Sequence, residues 1–498
     1  MDSLLAGWDL LQRWDVLAAL LVGSIGGVVI GAIPGVGPAI AIAILLPATF
    51  AMEPIVGLTL LLGIYGSAMF GGAIPAILIN TPGTAVNALT TYDGYPMTRA
   101  GQAPRALALA YGSSFVGGVL SVLCLIALAP VLADIAPKFG SREIFFATLL
   151  GMVLVVVAHR GQSMAAGALL CFGIFLQSIG LEPVAYSQRY TFGQAWLSSG
   201  VNLIVVVLGL FALAQAYALL LSRDEAVPMP KLNGGMWRGL REVLRFPQIS
   251  LPATGFGTLM GIIPGVGEFT AQFMSYTWAQ KISKHPERFG HGAPEGLIAS
   301  ETANNAVPAA AMIPLLALGI PGEALTAMML SVFYVHNVIP GPGLFAYHMD
   351  LVSALYLSLL LLNVLALVFL MVATKPLLKV VNIPNRFLGM VILVLSFVGV
   401  YSLRNSVIDC AMAAAFGLLG LVLKRLGLPI VPIILGMVLG NIMENKFRTS
   451  LPRIDGLGDW ISRPIAAGIF YLIVAVLVAH GLTLWRASRK AARISEAA

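Results

Sequence analysis

The sequence predicts an all-α polytopic membrane protein built as two inverted repeats with broken or re-entrant helices. Three observations carry that expectation. First, 58 % of the 498 residues are apolar and only 10 % are charged, whereas a soluble domain carries roughly 25 % charged residues. No soluble fold hides that much apolar surface, so the composition excludes a soluble globular enzyme, a disordered chain and a nucleic-acid binder. Second, uncharged runs of 37 residues (Val16–Met52) and 39 residues (Pro54–Tyr92) are each too long for one straight crossing, which takes about 20 residues. Third, a glycine- and proline-rich motif interrupts these runs and returns in the second half of the chain.

The elements follow in order. Met1–Asp15 reads as an amphipathic interfacial head, with Trp8 and Trp14 at headgroup level and Asp2, Asp9 and Asp15 outweighing Arg13. The first apolar run continues past any signal-peptide length, so no cleavable signal is expected. After the two long runs, plainer spans are expected at about 106–133, 144–158, 163–180 and 200–221. Ser222–Pro247 is the one polar stretch of any length, and Arg223, Lys231, Arg238, Arg241 and Arg245 make it a cytoplasmic linker by the positive-inside rule. Broken runs recur at about 248–280 and 296–345, and spans at about 350–373, 386–403, 407–424, 426–443 and 464–486. The tail is basic through Arg486, Arg489, Lys490 and Arg493.

The expected organisation is therefore membrane repeat 1 over 1–222, a cytoplasmic linker over 223–247, and membrane repeat 2 with a cytoplasmic tail over 248–498. An acid-rich head outside and a basic linker and tail inside would make the repeats inverted. The net charge of +7 belongs to these loops and does not imply DNA. Cys124, Cys171 and Cys410 are scattered through apolar segments and form neither a disulfide framework nor a metal site. The six histidines are dispersed without metal-ligand spacing, and no nucleotide-binding Gly-x4-Gly-Lys-Ser/Thr loop is present.

Gly27-x3-Gly31-x2-Pro34-Gly35-x-Gly37 recurs as Gly257-x3-Gly261-x2-Pro264-Gly265-x-Gly267, at an offset of 230 residues. Ile74-Pro75 to Thr81-Pro82-Gly83-Thr84-Ala85 recurs as Ile313-Pro314 to Ile320-Pro321-Gly322-Glu323-Ala324, at an offset of 239. Two motifs in the same order mark a duplication. Proline stops a helix, and glycine permits positive φ and close backbone approach. A broken helix inside a bilayer exposes N–H groups and a positive dipole end, which suit an anion. Paired breaks at matching positions of two repeats point to a transporter's substrate site. The candidate substrate residues are Pro34, Gly35, Gly37, Asn80, Thr81, Gly83, Thr84, Pro264, Gly265, Gly267, Pro321 and Gly322. The competing reading is that the glycines only allow tight helix packing or a kink.

At "GAIPGVGPAIAIAILLP", "YGSAMFGGAIPAILINTPGTAVNALTTYDGYPMTRAGQ" and "PEGLIASETANNAVPAAAMIPLLALGIPGEALTAM" the chain resembles the large membrane subunit of the tripartite tricarboxylate transporter family. The resemblance implies about 12 spans in a bacterial inner membrane. It also implies a small four-span membrane subunit and a periplasmic solute-binding protein as partners, and uptake of small carboxylates driven by an ion gradient. Acids at Glu268 and Glu323 stand where the first copy has Pro38 and Thr84.

Ionisable groups inside spans suggest function by default. Glu301 and Asn305 are i and i+4 on a helix and share a face. With Thr302 and Asn304 they form a candidate coupling site: the four side chains offer oxygens to Na⁺, or Glu301 carries a proton. The alternative is that Glu301 bonds a neighbouring helix. No cofactor beyond the coupling ion is expected. Asn80 and Asn87 flank the first Thr-Pro-Gly break, where they bond freed backbone or a substrate carboxylate. Asp93 and Arg99 read either as a salt-bridged turn or as a partner-docking loop. An integral membrane enzyme would need a paired acid/base or nucleophile set near one face, and none is legible. A channel would not need a binding protein.

Overall fold

The computed structural model describes residues 2–159, 161–182, 187–222, 232 and 236–497. Among these, nine helices are long and apolar enough to cross a membrane, and the only strands are the two-residue pair Gly180–Leu181 and Gln188–Arg189. The protein is an all-α polytopic membrane protein.

Each long uncharged run resolves into two helices separated at its break. After the head, α1 (Asp2–Leu11), come α2 (Trp14–Gly31) and α3 (Gly37–Thr49), then α4 (Pro54–Ile79) and α5 (Thr90–Arg99). Four elements follow: α6 (Ala103–Ile135), α7 (Ser141–Ala158), α8 (Ser163–Ser178) and α9 (Leu203–Leu221). The second half opens with α10 (Pro247–Ile262) and α11 (Gly267–Ile282), then α12 (Pro294–Leu318) and α13 (Ala324–Val335). It closes with α14 (Met349–Val381), α15 (Asn385–Arg404), α16 (Val407–Arg425), α17 (Val431–Ser450) and α18 (Pro464–Ala497). Residues 223–231 and 233–235 of the expected linker lie outside the described residues. The linker's far end is a docked helix, Trp237–Glu242: Gly239 lies against Ala108 and Arg105 of α6, and Glu242 pairs with Arg105 at 2.5 Å.

The chain divides into two compact units, and both draw on both halves. One comprises Met1–Ala136 and Asn202–Gly427. Its centre is α4 and α12, helices buried almost all round. Glycine sets how close their neighbours come. A methyl at Gly27 or Gly31 of α2 would meet the carbonyl oxygens of Ile64 or Ala68 on α4 at 2.6 and 2.2 Å. A methyl at Gly257 or Gly261 of α10 would meet those of Ala303 or Val307 on α12 at 2.5 and 2.9 Å. These four contacts are related by the offsets of the sequence motifs, 230 and 239. Backbone contact through small residues replaces the hydrophobic drive that lipid cannot supply.

The other unit comprises Pro137–Val201 and Leu428–Ala498. Here α8 crosses α17 with Gly173 against the Ile433 carbonyl and Gly436 against that of Leu170. A chain of ion pairs closes it: Arg189 to Glu444 at 2.7 Å, Arg448 to Glu444 at 3.0 Å, and Arg448 to Glu182 at 3.0 Å. Phe145, Phe146, Phe447, Trp460 and Phe470 pack edge-on or stacked beside α7.

Asp93 of α5 ties the two halves together. It is fully buried, and Oδ1 accepts from the backbone N–H groups of Gly290, Gly292 and Ala293 at 2.9, 2.9 and 2.8 Å. Oδ2 accepts from the Tyr276 hydroxyl at 2.8 Å. The partner anticipated from local spacing, Arg99, is not among these. Burial pushes the carboxyl up from its ordinary range, and the four donors counter that shift. Because removing an acceptor leaves buried donors unsatisfied at about 1–3 kcal/mol each, Asp93→Ala is expected to cost about 3 kcal/mol or more, and Asp93→Asn less. Thermal unfolding of the detergent-solubilised protein measures this, and a loss below about 1 kcal/mol would show that the backbone donors find water instead.

Candidate functional site at the paired helix breaks

Each break is stitched to the other break of its own half. Between α2 and α3 the chain turns with Gly35 at φ +76°, and the Gly35 N–H donates to the Gly83 carbonyl at 3.0 Å. Between α10 and α11 Gly265 has φ +77°, and its N–H donates to the Gly322 carbonyl at 2.7 Å. The second breaks match as well. Asn80 ends α4 in the left-handed region at φ +57°, and Gly319 ends α12 at φ +70°. The N–H groups of Thr81 and Ile320 then close onto the carbonyls of Pro75 and Pro314, both at 3.3 Å. A methyl on Gly83 would meet the Gly31 oxygen at 2.1 Å, and one on Gly322 would meet the Gly261 oxygen at 2.8 Å. The glycines thus do what the packing-or-kink reading asks of them. Gly27 and Gly31 pack helices, and Pro34-Gly35-x-Gly37 turns the chain.

The helices leaving one junction pack on those leaving the other. α3 lies against α13, and the turn Ala85–Asn87 lies against α11. Thr84 and Gly37 approach each other, since a methyl on Gly37 would sit 3.9 Å from the Thr84 methyl. Gly35 is exposed, Pro34, Pro264, Gly265 and Gly267 are partly exposed, and Pro321 and Gly322 are buried. Asn80 and Thr81 are exposed; the Thr81 hydroxyl donates to the Ile79 carbonyl at 3.3 Å and, among the described residues, to nothing else.

Beside the junctions, Glu301 of α12 is fully buried and its carboxylate is held by three side chains of the first half. Oε1 accepts from Thr90 Oγ1 at 2.5 Å and Asn87 Nδ2 at 3.3 Å, and Oε2 accepts from Ser114 Oγ at 3.0 Å. Asn87 also accepts from Thr84 Oγ1 at 2.5 Å, so the chain of bonds runs back to the Gly83 break. Ser114 reaches Glu301 because α6 meets α12 backbone to backbone: a methyl at Gly117 would lie 2.1 Å from the Thr302 oxygen. Asn305 shares the face, as its spacing requires, and donates to Ser114 Oγ at 2.8 Å and the Glu301 carbonyl at 3.1 Å. The simpler reading of Glu301, that it bonds neighbouring helices, describes this geometry.

Thr302 and Asn304 make no bond to Glu301. Thr302 Oγ1, both amide atoms of Asn304 and Asn305 Oδ1 are buried without a partner among the described residues. Asn305 lines a small cavity with Asn363, Phe70, Gly118 and Leu359. Glu268 and Glu323 flank the Gly265–Gly322 junction and are buried. Glu323 precedes α13 with its N–H on Thr326 Oγ1 at 3.0 Å, while its Oε1 has no partner. Thr90 and Ser114 were not legible as site residues. The one hint was the serine pair Ser113-Ser114 beside Gly117-Gly118 in an otherwise apolar run.

The sequence pattern of the "Tripartite tricarboxylate transporter TctA family" matches residues 17–435. A 52.8 kDa protein in the TAR-I ttuC' 3' region of Agrobacterium vitis is 34 % identical over 478 residues, covering 95 % of each chain. A protein in the TAR-II ttuC' 3' region of the same organism is 35 % identical over 227 residues, 45 % of this chain and 93 % of its own length. No solved structure matches. With all four breaks falling within the matched residues, the chain belongs to the tripartite tricarboxylate transporter TctA family and is the membrane component of a transporter, not an enzyme.

Proposed function

We propose that the chain takes up small carboxylates, tricarboxylate or dicarboxylate, by cation symport. In this reading it is the large subunit of a three-part system in a bacterial inner membrane, with a small four-span subunit and a periplasmic solute-binding protein. The observation that carries the reading is the pair of Pro-Gly junctions, whose departing helices pack crosswise. In this reading Pro34, Gly35, Gly37, Gly83 and Thr84 of one half face the substrate together with Pro264, Gly265, Gly267, Pro321 and Gly322 of the other. Broken helices with free N–H groups suit carboxylate oxygens, and alternating access would rock the two repeats about them.

Electrostatics argues for the cation. A tricarboxylate brings up to three negative charges, and entry into low dielectric is strongly unfavourable. Each helix N-terminus supplies only about half a charge. Co-bound Na⁺ or H⁺ makes up the difference and couples uptake to a gradient. Glu301, with the unpartnered oxygens of Thr302, Asn304 and Asn305, is the proposed coupling site. Its bonds to Asn87 and Thr90 connect any change in its charge to the segment that follows the Gly83 break.

Uptake of labelled di- and tricarboxylates in vesicles, with Na⁺ and H⁺ gradients imposed separately, tests the reading. It predicts accumulation of at least one carboxylate under one gradient. Glu301→Gln should reduce gradient-driven accumulation by about 10-fold or more while sparing equilibrium exchange; normal accumulation with unchanged ion dependence would leave Glu301 purely structural. Gly265→Leu forces a side chain into the left-handed region at a cost of about 1–2 kcal/mol, so it should insert and fold yet transport nothing. The acid-rich head outside, with the basic linker and tail inside, makes the two repeats start on opposite faces and so makes them inverted. Labelling Ser3→Cys and Ser488→Cys from opposite sides of the membrane should succeed, and labelling from one side only would end that topology.

A further inference from the structure

Gln215 is a polar residue in the apolar helix α9, and it is 6 % exposed. An amide buried among apolar side chains is unfavourable without partners. One is provided by Lys424 in the last turn of α16, whose Nζ donates to Gln215 Oε1. An ammonium can only donate, so the amide oxygen must face Lys424 and the NH₂ must face the other way. That direction is the first junction: Gln215 Nε2 lies 3.4 Å from the position a methyl on Gly35 would occupy. Among the described residues Nε2 donates to nothing.

Two further features single out this side chain. The helix takes a π-helical turn at Leu208–Leu213, ending two residues before Gln215. Such turns insert a residue, swing the following side chains round the helix axis and occur often at functional sites. This turn packs on α3, the helix that leaves the Gly35 break. The two junctions also differ in charge. Buried acids, Glu268 and Glu323, flank the Gly265–Gly322 junction, whereas the Gly35–Gly83 junction is backed by a cation through Gln215.

We propose that the Gln215 amide, polarised by Lys424, is a carboxylate-binding group at the Gly35 break, so that the transported anion docks one carboxylate at the first junction rather than equally at both. The proposal rests on the carboxylate-transport reading and adds two specificity-determining residues to it. The Gln215 NH₂, beside the positive end of the α3 dipole, would take one carboxylate. Lys424 acts through Gln215 and is a positioning residue.

The test is counterflow of labelled citrate and of labelled succinate in proteoliposomes holding the full-length chain purified from its native membrane complex. Gln215→Leu should raise KM about 10-fold, the loss of one charge-assisted hydrogen bond, with maximal rate and melting temperature little changed. Lys424→Met should raise KM several-fold, and Lys424→Arg should restore it, a pattern that a packing role would not give. Gln215→Glu, which points a carboxylate at the break, should abolish uptake of both anions. If Gln215→Leu fails to fold, the Lys424 pair decides. Wild-type counterflow with KM unchanged in Gln215→Leu and Lys424→Met overturns this assignment alone, whereas a wild-type chain that carries neither anion, nor any other carboxylate, overturns the carboxylate reading as well.

Discussion

The structure depends on one constraint: a backbone N–H or C=O inside a bilayer must find a partner within the protein. Interrupting a helix four times in an apolar medium exposes such groups at each interruption. The chain answers by pairing its interruptions. Gly35 donates to Gly83 and Gly265 donates to Gly322, so each irregular turn supplies what the other lacks. Many of the glycines serve this arrangement. Those with positive φ turn the chain, and those in α2, α4, α6 and α10 let backbones come close enough for the turns to meet.

This constraint also explains the position of the polar residues. α12 carries Ser300, Glu301, Thr302, Asn304 and Asn305 in succession and would be untenable against lipid. It is instead enclosed by α6, α10, α11 and α5. Its central acid takes three hydrogen bonds from the opposite half, and Asp93 of the first half takes four from the second. The two halves thus exchange carboxylates and donors in both directions. That reciprocity adds specific polar bonds to an otherwise apolar contact, in which Leu107 and Leu109 of the first half share a core with Leu297 and Ile298 of the second.

The breaks, the broken runs and the polytopic class were legible because proline and glycine punctuate a chain locally. The partners of each group were not. Of the two local readings of Asp93, one pairs it with Arg99, six residues away, since local spacing offers no view of a loop nearly 200 residues on. Glu301 and Asn305 were read as one face from helical periodicity, and they are. The same periodicity is silent about Thr90, Ser114 and Asn87 arriving from another helix. Nothing in the local sequence singles out Gln215 or Lys424, and only their juxtaposition gives them meaning.

The packing of the outer helices has a consequence for how the molecule is made. In one unit α7 and α8, from the first half of the chain, pack on α17 from the second. In the other, α15 and α16 from the second half pack on α9 from the first. Each half therefore lends a pair of helices to the other. A half-length chain would leave glycine-faced surfaces such as Gly173 on α8 open to lipid until their mates emerge from the ribosome more than 250 residues later. These contacts form only once the C-terminal helices are present. In both units, then, the packing is completed only by residues from the second half of the sequence.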